Sequence, residues 1–185
     1  MTPGRALDEA FAACPRKDFL PEGERRFARL DRPLPIGWGQ TNSQPTTVRT
    51  MLALLDVRAG QRVLDVGCGS AWTTALLAHL VGPDGAVVGV EIVPGLVAFG
   101  RSRLGDRPNA RVVEAVPGVL GLPDGAPYDR ILVSAEASTL PVPLVEQLAE
   151  DGVLVVPVRG TLLEVRPGPE VVQRGRYAFV PLVDG

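Results

Sequence analysis

The feature that most constrains the fold is residues 63–71, where a short run of β-prone apolar residues stops at two glycines separated by one residue. Residues 73–80 follow with a helical pattern, so this part of the sequence predicts a strand, a tight turn and a helix. Such a turn presents backbone N–H groups and the positive end of a helix dipole to a nucleotide-like ligand. Gly67 and Gly69 would let that ligand approach the backbone closely. Glycine in such a turn can also have a purely steric role, so the flanking residues must decide between the two interpretations.

Two positions near the turn narrow the class of ligand. The dinucleotide fingerprint needs a third glycine three residues after the second, but position 72 is Trp, which disfavours nicotinamide and flavin dinucleotides. Glu91 follows the next predicted strand, over residues 86–90, where a carboxylate is expected to accept hydrogen bonds from ribose hydroxyls. Together these positions predict a nucleoside-type cofactor.

Composition excludes several other classes of protein. The chain has 185 residues, of which 45% are hydrophobic, and this suits a single globular α/β domain. Its formal charge of -2 offers no basic footprint for nucleic acid. Cys14 and Cys68 are too few for a disulfide framework or a metal site, so we expect two reduced thiols and no metal. No apolar run is long enough to cross a membrane and no signal pattern is present, so we expect a cytoplasmic protein with no membrane partner.

The first 31 residues are expected to form two helices that pack on the sheet or over the cofactor. Apolar spacing predicts them over residues 6–14 and 21–30, the first ending before Pro15. The charged residues between them, 16–18, are interpreted as a solvated linker.

Residues 32–45 contain three prolines and two glycines, which exclude a regular helix, yet they also contain apolar anchors such as Trp38. An ordered irregular loop of this kind is typical of a functional site. Its polar cluster consists of Gln40, Thr41, Asn42, Ser43 and Gln44. A second interpretation, compatible with the first, is that Thr41 or Ser43 caps a helix expected over residues 45–55.

Seven blocks of sequence occur in a recognisable order. The first three are residues 15–21 (PRKDFLP), 31–45 (DRPLPIGWGQTNSQP) and 63–70 (VLDVGCGS), and the later ones are residues 126–133, 144–148, 152–158 and 179–182. In this order they resemble the protein-L-isoaspartate O-methyltransferase family, which uses S-adenosylmethionine, and the resemblance covers nearly the whole chain. The block LPIGWGQTNSQP is the most diagnostic, because methyltransferases in general share only the glycine turn.

The resemblance implies an α/β fold of the class I methyltransferase type: a doubly wound, Rossmann-like, mostly parallel seven-stranded sheet with an antiparallel C-terminal edge. Local patterns agree with it. They predict strands over residues 62–66, 86–90, 111–114, 129–134 and 153–158, helices over 73–80, 96–104 and 143–150, and an antiparallel pair over 161–166 and 176–183. We expect a single domain over residues 1–185, with N-terminal helices and a substrate loop in 1–55, a cofactor-binding core in 62–158 and a C-terminal β-hairpin in 159–185.

The resemblance also implies roles for individual residues. Ser43 matches the active-site serine of the family and would hold and orient the substrate carboxylate. The other substrate-binding residues would be Gln40, Thr41, Asn42, Ser134 and Ala135. The cofactor-binding residues would be Asp65, Gly67, Gly69, Ser70, Glu91, Ile92, Glu114 and Gly118. A carboxylate is already anionic at neutral pH, so its methylation needs no general base.

The chain departs from the family pattern at four positions. Ala71 replaces a glycine, and its methyl group would either crowd the cofactor or shift the helix. Pro117 stands where an aspartate normally meets the adenine amino group, and Glu114 is the expected substitute. Asn42 replaces a branched apolar residue, and Glu136 lies in a stretch that is normally small and apolar.

These departures leave three functions open. The first is methylation of L-isoaspartyl residues in a protein or peptide. The second is the same chemistry on another peptide carboxylate, such as an aspartyl side chain, and the third is a non-catalytic binding module that keeps the fold. The oligomeric state is not predicted by the sequence.

Overall fold

The computed structural model describes residues 3–168 and 170–182. A two-stranded and a seven-stranded sheet account for the strands of this part of the chain. The small sheet consists of β1 (Leu34–Gly37) and β2 (Gln40–Asn42), and the large one of β3 (Arg62–Val66), β4 (Ala86–Glu91), β5 (Ala110–Glu114), β6 (Tyr128–Val133), β7 (Leu148–Val158), β8 (Thr161–Val165) and β9 (Val171–Arg176).

The large sheet has the order β5-β4-β3-β6-β7-β8-β9. Strands β3 to β7 pair in parallel, while β8 and β9 are antiparallel to their neighbours. Two parallel runs therefore extend outward from β3, in opposite directions along the sheet. This arrangement confirms the predicted doubly wound fold with an antiparallel C-terminal edge. It also brings the carboxyl ends of β3 and its two neighbours together, which is where ligands bind in open α/β sheets.

Five α-helices flank the sheet in the described residues. They are α1 (Pro3–Ala13), α2 (Pro45–Leu55), α3 (Trp72–Val81), α4 (Pro94–Leu104) and α5 (Val142–Val145). Neighbouring strand residues alternate between two apolar cores: Val63 belongs to the core that contains α1, α2 and α3, whereas Leu64 belongs to the core that contains α5. Because successive side chains of a strand point to opposite faces, the two cores lie on opposite faces of the sheet.

Two predicted elements of the C-terminal half are wrong in position. The helix expected over residues 143–150 is only α5, and β7 already begins at Leu148. The last strand is β9, not residues 176–183, of which Val183 lies outside the described residues. Strand β9 is mostly exposed and lacks an apolar run, so its sequence gives no strand signal.

The N-terminal third also differs from the prediction. Residues 21–30 form a 3₁₀-helix over Glu22–Phe27, not an α-helix. The loop expected over residues 32–45 contains the hairpin of β1 and β2. The predicted helices over residues 6–14 and 45–55 are confirmed as α1 and α2.

The hairpin of β1 and β2 turns at Trp38 and Gly39, both of which have positive φ, at 51° and 73°. Two consecutive residues in this region match a type I′ turn, whose twist suits two adjacent antiparallel strands. The Trp38 ring lies against Gly95 near the start of α4, where there is no room for a Cβ atom. This contact places the hairpin beside the carboxyl end of the large sheet.

Candidate active site

A cavity of about 860 Å³ opens at the carboxyl ends of the parallel strands. It is bounded by the ends of β3, β4 and β6, the hairpin, the segment after β5, and residues 180–182. Nine of the residues predicted to form the site line this cavity: Gln40, Thr41, Gly67, Gly69, Glu91, Ile92, Gly118, Ser134 and Ala135. The sequence-distant parts of the predicted site therefore meet in one place.

The glycine turn leaves bare backbone on the wall of the cavity. Gly67 and Gly69 have φ values of 72° and 54°, a region that L side chains rarely adopt. A Cβ atom on Gly69 would lie 3.1 Å from Cδ1 of Ile36 in the hairpin, and one on Gly67 would lie 3.5 Å from Cβ of Ala135. Gly69 thus lets the hairpin close in on the turn, whereas a Cβ atom on Gly67 would be at ordinary contact distance from Ala135.

Asp65 lies beneath the turn and does not line the cavity. Its carboxylate is fully buried and accepts hydrogen bonds from the hydroxyls of Thr73 and Thr74, at 2.6 and 2.7 Å, and of Ser134, at 3.2 Å. Burial raises the pKa of Asp65, while the three hydroxyls oppose that rise. The structure therefore places Asp65 as a support that joins α3 to the end of β6, not as a residue that faces a ligand.

Glu91 does face the cavity, and three backbone groups hold its carboxylate in place. Oε1 accepts from the N–H groups of Ile92 and Val93, and Oε2 accepts from the N–H of Gly69 at 2.9 Å. A carboxylate has about four acceptor sites, so Glu91 keeps acceptor capacity toward the cavity. The bond to Gly69 also fixes the glycine turn relative to the end of β4.

Ser43 and six other predicted site residues lie around a second, small cavity of about 30 Å³ next to the first. Its walls include Asn42, Ser43 and Ser70, and the two cavities share five residues: Ile36, Thr41, Gly67, Gly69 and Ser134. Among residues 3–168 and 170–182, the Ser43 hydroxyl makes no hydrogen bond, whereas Asn42 and Ser70 are buried and bond to each other at 3.1 Å. The structure thus places Asn42 and Ser70 behind the site, with Ser43 at its edge.

The segment after β5 forms an apolar wall. Val116, Val119 and Leu120 line the large cavity there, and no carboxylate from this segment does. Glu114 is exposed and is not among the lining residues, and neither is Pro117. The structure does not bring Glu114 to the position expected for a substitute of the missing aspartate.

Ala71 does not crowd either cavity. Its methyl group is fully buried and belongs to the core shared by α1, α2 and α3. The backbone of Ala71 has φ 64° and ψ 23°, so the residue keeps the left-handed conformation that favours glycine.

Sequence reasoning missed Arg16. The interpretation of residues 16–18 as a solvated linker is wrong for Arg16, whose side chain is 5% exposed. It is bonded to Asn42, and its guanidinium lies over the Trp72 ring, 5.5 Å from the centroid. A charged residue between two predicted helices is usually solvated, so only the folded contact could reveal this role.

Comparison with known proteins identifies the family of this chain. The sequence model for protein-L-isoaspartate(D-aspartate) O-methyltransferase matches residues 4–184. The chain belongs to the protein-L-isoaspartate O-methyltransferase family. It is 46% identical to the family enzyme of Aeropyrum pernix, over 97% of this chain and 73% of that protein. It is 44% identical to that of Methanopyrus kandleri, over 95% of this chain and 82% of the relative.

A solved structure assigned to the same family has a similar fold. It is a Plasmodium falciparum protein in complex with S-adenosyl-L-homocysteine, with 26% sequence identity and a TM-score of 0.85. The alignment covers 97% of this chain and 91% of the Plasmodium chain. In the described part of our chain, no helix is long and apolar enough to span a membrane.

The residues of the large cavity fit a ligand of the S-adenosyl type. Gly67 and Gly69 offer bare backbone, and Glu91 offers a fixed carboxylate for hydroxyl groups. Val116 and Val119 offer apolar surface for a flat base. The family cofactor therefore suits this cavity without a contribution from Glu114.

Proposed function

We propose that this chain is an S-adenosylmethionine-dependent carboxyl O-methyltransferase that acts on L-isoaspartyl residues of proteins or peptides. The observation that carries the proposal is the meeting of Gly67, Gly69 and Glu91 with Thr41 and Ser134 around one cavity, with Ser43 at its edge. In this proposal the chain is one cytoplasmic domain, with N-terminal helices and the substrate loop in residues 1–55, the cofactor-binding core in 62–158 and a C-terminal β-hairpin in 159–185.

The cofactor would be held by Gly67, Gly69, Glu91, Ile92 and Gly118. When bound, it supplies a methyl group on a sulfonium centre, which a carboxylate oxygen can accept. The residues of the chain then need only bring the carboxylate into line and exclude water, and such positioning contributes several kcal/mol.

Ser43 is well suited to orient the carboxylate because its hydroxyl makes no hydrogen bond within the described residues and can donate to a ligand. The Ser134 hydroxyl donates to Asp65 at 3.2 Å, so its proton is already engaged. The only histidine of the chain, His79, is an exposed residue of α3 and is absent from the walls of both cavities. Ser43 therefore serves as a hydrogen-bond donor in this proposal and not as a nucleophile activated by a base.

Asn42 and Glu136 depart from the family pattern and left another carboxylate substrate open, but the structure explains both residues. Asn42 bonds to Arg16 and Ser70, behind the site. Glu136 lines the cavity, but its Oε2 accepts from the N–H of Gly160 at 2.7 Å, which ties it to the turn between β7 and β8. Neither residue presents a feature that favours an aspartyl side chain over an isoaspartyl residue.

The proposal is tested by methyl transfer to two peptides of the same sequence, one with an isoaspartyl and one with an aspartyl residue. We expect S-adenosylhomocysteine release and a methyl ester only with the isoaspartyl peptide. Equal methylation of both peptides would favour a different carboxylate substrate, and methylation of neither would contradict the proposal.

Ser43→Ala is the matching variant, with Ser102→Ala on the exposed face of α4 as its control. A hydrogen bond to a charged group contributes about 1.5–3 kcal/mol, so we expect Ser43→Ala to lower kcat by roughly 10- to 100-fold. Affinity for S-adenosylhomocysteine, measured by calorimetry, should stay near that of the wild type. An equal loss of both would contradict the orienting role.

A further inference from the structure

The Arg16 guanidinium has acceptors for all of its N–H groups. Nε donates to Oδ1 of Asn42 at 2.7 Å, and Nη2 donates to the carbonyls of Arg32 and Asn42 at 2.8 and 2.9 Å. Nη1 donates to the carbonyls of Leu30 and Ala28 at 2.9 and 3.5 Å. The planar fork of arginine is therefore fully used.

None of these five acceptors carries a charge. No salt bridge to Arg16 occurs in residues 3–168 and 170–182, and Asp31 acts on it only through longer-range attraction. Burial lowers the pKa of Arg16 to about 10, with Asp31 opposing the change, and the group stays protonated at neutral pH. A buried cation without a carboxylate partner carries a desolvation cost, so stability alone does not explain why position 16 holds an arginine.

Asn42 connects this cation to the cofactor side of the site. Its side-chain oxygen accepts from Arg16, and its Nδ2 donates to Oγ of Ser70 in the glycine turn at 3.1 Å. Asn42 ends β2 and directly precedes Ser43. The end of β2, which Ser43 directly follows, is thus hydrogen-bonded to Arg16 on one side and to the glycine turn on the other.

A second contact holds the same parts together. The ring of Trp72, the first residue of α3, lies under the Arg16 guanidinium. Its Nε1 donates to the carbonyl of Cys14 at 2.9 Å, two residues before Arg16. Together with the bonds of Asn42, these contacts connect the N-terminal segment, the hairpin and the glycine turn to one another.

We propose that Arg16 is a positioning residue for methyl transfer, which holds Ser43 at a fixed place relative to the glycine turn through Asn42. Arg16 lines neither cavity, so it acts through these neighbours and not by contact with a ligand. The inference rests on the proposed function, because it assigns to Arg16 the alignment of the acceptor with the cofactor.

Arg16→Lys tests this inference because lysine keeps the charge but lacks the planar fork. A small misplacement of reacting groups can cost about 100-fold in rate, so we expect kcat for the isoaspartyl peptide to fall by roughly 10- to 100-fold. Affinity for S-adenosylhomocysteine should stay near the wild-type value. The control is Arg26→Lys, a change at an arginine that stacks on Phe27 outside the site, and it should leave kcat unchanged.

Ser70→Ala is the second variant, and it decides the matter if Arg16→Lys does not fold. Alanine at position 70 leaves the bond from Nε of Arg16 to Asn42 in place and removes the acceptor for Nδ2 of Asn42 in the glycine turn. We expect a lower kcat with retained affinity for S-adenosylhomocysteine. Of the two indole N–H resonances of the chain, that of Trp72 should shift in Arg16→Lys and that of Trp38 should not.

The outcomes separate this inference from the proposed function. If the wild type does not methylate the isoaspartyl peptide, the proposed function fails. If the wild type is active and the folded variants keep the wild-type kcat, the positioning role fails. A fall in kcat matched by an equal loss of S-adenosylhomocysteine affinity would also overturn it, because it would indicate a general structural role.

Discussion

Ala71 occupies a backbone conformation that usually requires glycine. With φ 64°, it carries a cost of about 1–2 kcal/mol for an L residue. Its fully buried methyl group offsets part of this by about 0.8 kcal/mol. The methyl group that distinguishes Ala71 from glycine is therefore accommodated in the core and does not reach the cavity.

We expect Ala71→Gly to change the free energy of unfolding by less than about 1 kcal/mol, because relief of the backbone strain and loss of the methyl contact oppose each other. Ala75→Gly is the matched control: Ala75 is equally buried but lies inside α3 with ordinary helical geometry, so the change should cost about 1–2 kcal/mol. Urea unfolding measures both variants, and calorimetry should give an unchanged affinity of Ala71→Gly for S-adenosylhomocysteine. A loss as large as that of Ala75→Gly would contradict this account.

The location of some functional residues could be predicted from the sequence, and that of others could not. Glu91 could be placed from its position after an apolar strand, because the ends of parallel strands meet at one edge of the sheet. Arg16 and Asn42 could not, because they are 26 positions apart and only the folded hairpin brings them into contact. The hydrogen-bonded, buried state of Asp65 could not be predicted either, since its partners Thr73 and Thr74 lie in the following helix.

At the scale of elements, strands were predictable where they are buried on both faces. Strand β3 matches its predicted bounds because its apolar run has a clear start and end. Strand β7 begins earlier than expected because Leu148 pairs with Tyr128 while Val153 pairs with Arg130, which leaves residues 149–152 as a bulge. The four residues of this bulge are polar or small, and their composition predicts a helix end or a turn.

The start of α2 shows a cap that no local pattern predicts. Its N-cap residue, Gln44, makes no capping hydrogen bond with its side chain, and neither Thr41 nor Ser43 holds the N-cap position. The carboxylate of Asp31 instead accepts from the N–H and the hydroxyl of Thr46, at 2.9 and 2.7 Å. These two bonds hold the pKa of Asp31 below its ordinary value.

A lowered pKa fixes the sign of the pH dependence. The Asp31 contribution is present above the ordinary aspartate pKa of about 3.9 and is lost as pH falls through the lower pKa of the folded state. We expect Asp31→Ala to lower Tm at pH 7 and the difference from wild type to shrink at the acidic end. Asp106→Ala, an exposed aspartate after α4, is the control and should leave Tm unchanged at both pH values. A difference in Tm that is independent of pH would contradict the capping role.

At the scale of the whole molecule, the site is assembled from parts that are far apart in the sequence but follow from the topology. The reversal of strand order at β3 places the glycine turn and the end of β6 side by side, and the hairpin covers them. Residues 180–182 complete the wall because the N–H of Glu136 donates to the carbonyl of Val180 and the N–H of Leu182 donates to the carbonyl of Glu136. The sequence resemblance predicts that the glycine turn, the end of β6 and the hairpin meet at the site. The contact of Glu136 with residues 180–182 depends on a chain reversal after β9, and no local sequence pattern predicts that reversal.

Ligand binding to a site that exists only in the folded chain must stabilise the whole molecule. At a concentration of S-adenosylhomocysteine about 100-fold above Kd, the free energy of unfolding should rise by about 2.7 kcal/mol, which raises Tm by roughly 5–10 °C for a chain of this size. Glu114→Ala should keep this shift, because Glu114 is exposed and does not line the cavity. Glu91→Ala should reduce it strongly, because it removes the fixed acceptor at the end of β4. No shift of the wild type up to millimolar ligand would favour the non-catalytic binding module over the methyltransferase, since the apolar wall at Val116 and Val119 would then be insufficient to hold the base.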